Sequence, residues 1–299
     1  MGAPAAASGV LVPWRMAALL FLFAAAPLFS LDWPVANPII TGTFGEDRGD
    51  HFNNGIDIGG GDQEVHAVLP GELVFRYDEA SDFTSLPRGI GSTVVLHHSQ
   101  DILSLYCHLA NGTLGPVHAR YSPSDRIGII GDSGHANGKH LHFSVYDVEA
   151  GSYVNPLALL PPLADRQPPV IRRILLGEGD QRQPLDNGSV VKPGRGEVFA
   201  EVYDLREDVQ FSWTLAPYSV SLALDGAGVS RIAFDSLQVR QGMSVIGGIG
   251  LSRDDVYASG GLIRCGTVEV RSGESRLRLT ARDFAGNETV KEIGFSVRN

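Results

Sequence analysis

Gly138-Lys139-His140-Leu141-His142-Phe143 sets two histidines two residues apart inside an apolar, strand-like run. In a strand alternate side chains share a face, so His140 and His142 point one way while Leu141 and Phe143 turn into a core. Two imidazoles on one face of a rigid element suit a zinc centre, one nitrogen for the metal and one for the reacting water. A half-buried surface pair has the same local pattern. The company upstream is what raises the pair above that: Tyr106-Cys107-His108-Leu109 and Asn53-Asn54-Gly55-Ile56-Asp57. Asp57 falls in a Gly-flanked apolar run, where a carboxylate needs a partner to offset its desolvation.

Working outward, the flanking segments read as strands. Ile39 to Glu46 leads into a charged turn, and His51 to Ile58 follows it. Glu64 to Phe75 reads as two strands about the Pro70-Gly71 turn. Ser92-Thr93-Val94-Val95-Leu96-His97-His98 and Ile102 to Leu109 pair naturally as a hairpin. The glycine-rich loop Gly131 to Gly138 delivers the chain into His140, and no segment before Asn155 has a helical period. The fold class predicted is all-β, with an antiparallel sheet domain over residues 31–163.

The chain has 299 residues, room for two domains, with a formal charge of -10 that disfavours nucleic acid as a partner. The charge is unevenly placed: residues 31–163 carry 6 Lys+Arg against 16 Asp+Glu, and residues 164–299 carry 17 against 18. Acidic groups gathered in one half fit a site that attracts a cation, or simply a solvated acidic face. Met16 to Ala26 is an apolar run shorter than the about 20 residues a membrane span needs. Residues 1–30 are therefore predicted to be a signal peptide, with an exported chain starting near Leu31 and no span in its mature form. Cys107 and Cys265 fall in different predicted domains and read as small buried hydrophobes.

The ordered set Gly55-Ile56-Asp57, Val65-x-Ala67-x-x-x-Gly71, Tyr106-x-His108-Leu109, Gly138-x-His140-Leu141-His142-Phe143 and Asn155-Pro156-Leu157 resembles the lysostaphin-like, LytM-type zinc endopeptidases over about residues 38–160. The resemblance implies a β-sheet groove holding one zinc and hydrolysing peptide bonds of peptidoglycan, in the periplasm or cell envelope. It implies Asp57 and His142 as zinc ligands, with His108 and His140 orienting or deprotonating the water. One position departs from the pattern. The third zinc ligand falls four residues before Asp57, where the family places histidine and this chain has Asn53, a neutral and poorer donor for zinc. His51 shares the strand face but lies about 6–7 Å along the chain. Two functions follow: a zinc endopeptidase of the cell wall with weakened metal, or a degenerate module that binds peptidoglycan peptide or regulates a cell-wall hydrolase partner.

Beyond the proline-rich stretch Leu160 to Pro169, strands recur at sandwich-like intervals: Val198 to Tyr203, Tyr218 to Leu224 before the Asp225-Gly226 turn, and Arg276 to Ala281. Residues 164–299 are predicted to be a β-sandwich. Its last turn, Asp283-Phe284-Ala285-Gly286-Asn287-Glu288, resembles that of bacterial immunoglobulin-like modules. No catalytic cluster is evident there.

Overall fold

The computed structural model describes residues 30–81, 89–178, 181–207 and 214–299. The predicted signal peptide, apart from Ser30, lies outside the described residues. So does part of the loop between Tyr77 and Gly91.

The first part is built from ten strands: β1 (Ile39–Gly42), β2 (Ile56–Gly59), β3 (Glu64–His66), β4 (Gly71–Tyr77), β5 (Ser92–His98), β6 (Ile102–Leu109), β7 (Arg120–Tyr121), β8 (Arg126–Ile129), β9 (Leu141–Asp147) and β10 (Ser152–Val154). The main sheet runs β10-β9-β6-β5-β4-β7, and β2 also pairs with β9 and carries β1. The predicted β5–β6 hairpin forms, with antiparallel pairing from His98 opposite Ile102 to Ser92 opposite Leu109. The two strands about Pro70-Gly71 form as well but part company: β3 pairs with β8, whereas β4 pairs with β5 and β7. Leu141, Phe143 and Val145 on β9 are fully buried, together with Ile56, Ile58 and Tyr106, so the apolar face of β9 is the centre of the core. His142 projects from the other face.

Among the described residues the second part contains two five-stranded sheets. One is centred on Val170–Glu178, Gly194–Tyr203 and Leu262–Val270; the other on Glu288–Val297, Gly273–Arg282 and Ser219–Leu224. Pairing is antiparallel except between Val190–Val191 and Glu288–Val297, which run parallel. The Asp225-Gly226 turn holds both residues at positive φ, 51° and 81°, as a tight two-residue hairpin requires. Cys107 and Cys265 are both buried free thiols.

The two parts share a sheet. The hairpin Ser236–Arg240 with Met243–Ile246 adds to the first part by pairing with β10, Tyr153 opposite Leu237. The boundary predicted at residue 163 is thus crossed by main-chain hydrogen bonds 70 or more residues further on. Asn155 reinforces the crossing. Its side chain accepts from Leu157 N at 3.1 Å, capping the turn Pro156–Ala158, and donates to Phe234 O at 3.0 Å.

Candidate functional site

Strand register assembles the groove. On β2, Asp57 lies directly opposite His142 of β9, and Cys107 of β6 lies opposite His142 on the other side. Close approach of β2 to β9 depends on Gly55, because a Cβ there would stand 2.4 Å from Phe143 O and 2.5 Å from Ser144 Oγ. His142 Nδ1 donates to Asp57 Oδ1 at 3.0 Å. Its Nε2 lies 2.9 Å from Ser144 Oγ and 3.0 Å from Asn54 Oδ1.

The two histidines read as water-activating flank the same point. The ring of His108 is centred 5.0 Å from that of His140 and 6.0 Å from that of His142. His140 Nε2 lies 3.9 Å from Asp57 Oδ1. Each is fixed through its other nitrogen, His108 Nδ1 donating to Ser133 O at 2.8 Å and His140 Nδ1 to Gly138 O at 3.0 Å. A carbonyl only accepts, so both rings carry the proton on Nδ1 and keep Nε2 as the basic nitrogen. His108 holds a positive φ of 60°, a conformation that the surrounding bonds must enforce. Burial, with His142 and His140 nearby, pulls its pKa down to about 4, so at neutral pH it is a neutral ring.

Asp57 has a second partner. The guanidinium of Arg48 bonds its Oδ2 through Nη2, which also reaches Glu46 Oε2 at 3.3 Å. Gly42 makes room for this pair: a Cβ there would lie 2.3 Å from Asp57 Oδ2 and 2.6 Å from Arg48 Nη2. Burial alone would raise the Asp57 carboxyl. The hydrogen bond from His142 and the charges of His142, Arg48 and His140 instead hold it well below the usual carboxylate range. Glu46 is pushed the other way, up to about 7, chiefly by burial and against the pull of Arg48.

Asn53 is 2% exposed. Its Oδ1 is turned back on its own loop and accepts from Gly55 N at 3.3 Å, while its buried Nδ2 has no partner among the described residues. The orphaned atom is a donor, which a cation cannot satisfy. A catalytic zinc usually takes three protein ligands about 2 Å away. Among the described residues, no three His, Cys, Asp or Glu side chains of this groove bring ligand atoms within 4.8 Å of one another. Asp57 and His142 satisfy each other, and Arg48 covers the remaining carboxylate oxygen. In this arrangement the residues do not fit a zinc ion. His51, the other histidine weighed for the gap, has a largely exposed side chain beside Asp50.

Reading the sequence overlooked Arg48, Asn54 and Ser144. Arg48 lies in a charged turn, and nothing in its spacing ties it to a carboxylate nine residues on. The second part of the chain braces the loop that carries it. Arg253 forks onto Asp47, Nε to Oδ1 at 2.7 Å and Nη2 to Oδ2 at 2.6 Å. Tyr257 donates its hydroxyl to Gly45 O at 2.9 Å, and Thr43 Oγ1 exchanges bonds with Ala216 O and N, both at 3.1 Å. Phe52, next to Asn53, packs edge-on against Phe234 and Tyr257 with centroids 5.9 and 6.0 Å away.

An antiparallel sheet that lines a groove with Asp57, His108, His140 and His142 defines a LytM-type peptidase domain. Sequence comparison agrees: residues 51–156 match the pattern of peptidase family M23. A second family pattern spans residues 168–298. The murein hydrolase activator NlpD of Escherichia coli is 31% identical over 137 residues, covering 45% of this chain and 32% of that protein. The outer membrane antigenic lipoprotein B of Haemophilus influenzae is 32% identical over 130 residues, 43% of this chain and 29% of its own. The chain therefore spans about a third of the length of the curated relatives it matches. Among solved structures, a zinc-containing peptidase from Vibrio cholerae superposes with a TM-score of 0.32 at 20% identity, over 39% of this chain and 36% of its own.

Proposed function

We propose that residues 31–163 form a LytM-type module that works at the cell wall without a zinc-activated water, as a regulator of a murein hydrolase. One observation carries this reading: Arg48 sits on Asp57, where the family pattern calls for a metal ion, while Asn53 stands where it calls for an imidazole. A guanidinium supplies the positive charge that keeps Asp57 ionised but offers no site for water and no Lewis acidity. The relatives named murein hydrolase activator support a hydrolase as the partner, and the one named an outer membrane lipoprotein supports a location in the cell envelope. Among the described residues no helix is long and apolar enough to cross a membrane. An exported chain, with residues 1–30 as signal peptide, belongs to the same reading.

The retained histidines give the peptidase reading its own support, since His108 and His140 keep basic nitrogens beside Asp57. The experiment separates the two. The full chain is purified without chelator, its zinc measured, and muropeptide release from murein sacculi followed alone and with a murein hydrolase of the same cell. A regulator has well below one zinc per chain, releases nothing alone and raises release by the hydrolase. Stoichiometric zinc with release by the chain alone, lost in His142→Ala, would overturn the proposal.

A further inference from the structure

A second group of acids lies away from the groove, where the linker meets the second part. Asp165 belongs to the proline-rich linker, Asp204 follows the strand Gly194–Tyr203, and Asp283 opens the turn between Gly273–Arg282 and Glu288–Val297. Each offers a carboxylate oxygen, and the three oxygens lie within 4.8 Å of one another. That is about the widest separation at which two oxygens can both sit at the 2.3–2.6 Å distance of a calcium ligand. The acids are not a solvated surface patch. Asp204 and Asp283 are 5% and 3% exposed, and the Asp165 side chain is 2% exposed.

Their hydrogen bonds divide unequally. The Asp283 carboxylate is turned into shape by its own loop, Oδ1 accepting from Gly286 N at 2.7 Å and Asn287 N at 2.8 Å, and Oδ2 from Asn287 Nδ2 at 2.7 Å. Asn287 Nδ2 also reaches Asp165 O at 3.2 Å, tying that loop to the linker. Asp165 Oδ1 accepts from Gln167 N at 3.0 Å, and Oδ2 faces Arg206 Nη1 at 3.4 Å. Asp204 is different: among the described residues its buried Oδ1 has no hydrogen-bond partner. A buried acceptor without a donor costs roughly 1–3 kcal/mol, and more when it is charged. Three carboxylates against one guanidinium leave two negative charges in the cluster. Beside it opens a cavity of about 30 Å³ lined by Asp165, Asp204, Arg206, Ala216, Tyr218 and Thr43, room for about one water.

We propose that Asp165, Asp204 and Asp283 form a binding site for one divalent hard cation, calcium by its ligand chemistry, that fastens the linker to the second part. An all-oxygen carboxylate set selects calcium or magnesium over softer metals. Magnesium demands near-ideal octahedral geometry and gives up its waters reluctantly, whereas calcium accepts irregular oxygen sets, so calcium is the better fit to three carboxylates beside room for about one water. A bound dication cancels the two surplus charges and gives Asp204 Oδ1 its missing partner. Burial and the neighbouring acids push the Asp204 carboxyl up to about 7, the same unfavourable charge seen from its titration. The cavity wall reaches Thr43, at the start of the loop that carries Arg48, so the cation closes the joint on which that loop is braced.

The test uses the full chain, stripped with EDTA and dialysed into chelated buffer at pH 7.5. Calorimetric titration with calcium chloride is expected to give one ion per chain, and 1 mM calcium to raise the melting temperature by several degrees. Magnesium at the same concentration should give a smaller shift. Asp204→Asn and Asp283→Asn should lose the calcium heat and the shift, whereas Asp101→Asn, on an exposed turn of the first part, keeps both. If the cluster only shares a proton, calcium gives no heat of binding and leaves the wild-type melting temperature unmoved. That result overturns the site. Should Asp204→Asn fail to fold, the wild-type titration alone decides.

Discussion

Restoring the missing imidazole with Asn53→His should not by itself make a good zinc site, because Arg48 already holds Asp57. Zinc would have to displace a charge-assisted bond, and hydrogen bonds to charged groups contribute about 1.5–3 kcal/mol. The Arg48 side chain is 36% exposed, so solvent screening brings this to roughly 1–2 kcal/mol. At about 1.4 kcal/mol per tenfold, zinc should bind Asn53→His roughly 5- to 30-fold more weakly than the double variant Asn53→His with Arg48→Met. Arg48→Met alone should lose about the same 1–2 kcal/mol of stability and gain no zinc, since only Asp57 and His142 remain as strong ligands. Zinc at a hundred times its dissociation constant adds about 2.7 kcal/mol, a rise of roughly 5–11 °C in melting temperature for a domain of this size. The assay is thermal melting of the four proteins with and without zinc, with dissociation constants from competition against a chromogenic chelator. Equal zinc affinity in the single and double variants would show that Arg48 does not contest the site. Stoichiometric zinc in the wild type would sink the argument altogether.

Three further outcomes follow from the same loop. Gly42→Ala places a methyl 2.3 Å from Asp57 Oδ2, so it should cost about 1–3 kcal/mol by urea unfolding, and clearly less in an Arg48→Met background. Glu46 has its carboxyl raised from 4.5 to about 7, so the folded state holds that proton more tightly than the unfolded chain. Its contribution is therefore full below about pH 4.5 and is lost as pH rises through about 7, by at most about 3 kcal/mol, and Glu46→Gln should flatten that slope in melting curves. Arg253→Ala removes the fork on Asp47 and should cost about 1–3 kcal/mol, with faster hydrogen exchange at the amides of Gly45, Arg48 and Asn53.

Much of this architecture is legible in the sequence because strand physics is local. Alternation around His140-Leu141-His142-Phe143 places Leu141 and Phe143 in the core, and the apolar runs of β5 and β6 with a short polar turn specify their hairpin. Gly55-Ile56-Asp57 is legible for a packing reason: only glycine lets β2 come so close to β9. Long-range choices are not written in period or propensity. Nothing local says that β3 pairs with β8 rather than β4, or that Ser236–Arg240 leaves the second part to extend the sheet of the first. The meeting of Arg48 with Asp57 is hidden for the same reason. It depends on how the loop from Thr43 to Asn53 is folded back, and that is set by partners about two hundred residues away.

Those partners bear on what the groove is for. Here the loop over the groove is tied at Thr43, Gly45, Asp47 and Phe52 to Ala216, Tyr257, Arg253 and Phe234, all from the second part. Gly45 is in the left-handed region, φ 83°, and a Cβ on it would strike the Phe234 ring at 2.1 Å, so contact between the parts is built into the backbone. A displacement of the second part would pull on the segment that carries both Arg48 and Asn53. Arg48 is held by two carboxylates, Asp57 and Glu46, of which one is firmly ionised and the other is near its midpoint at neutral pH. The groove is therefore a surface whose loop is held by the second part of the chain, and the regulator role proposed above draws on that tie.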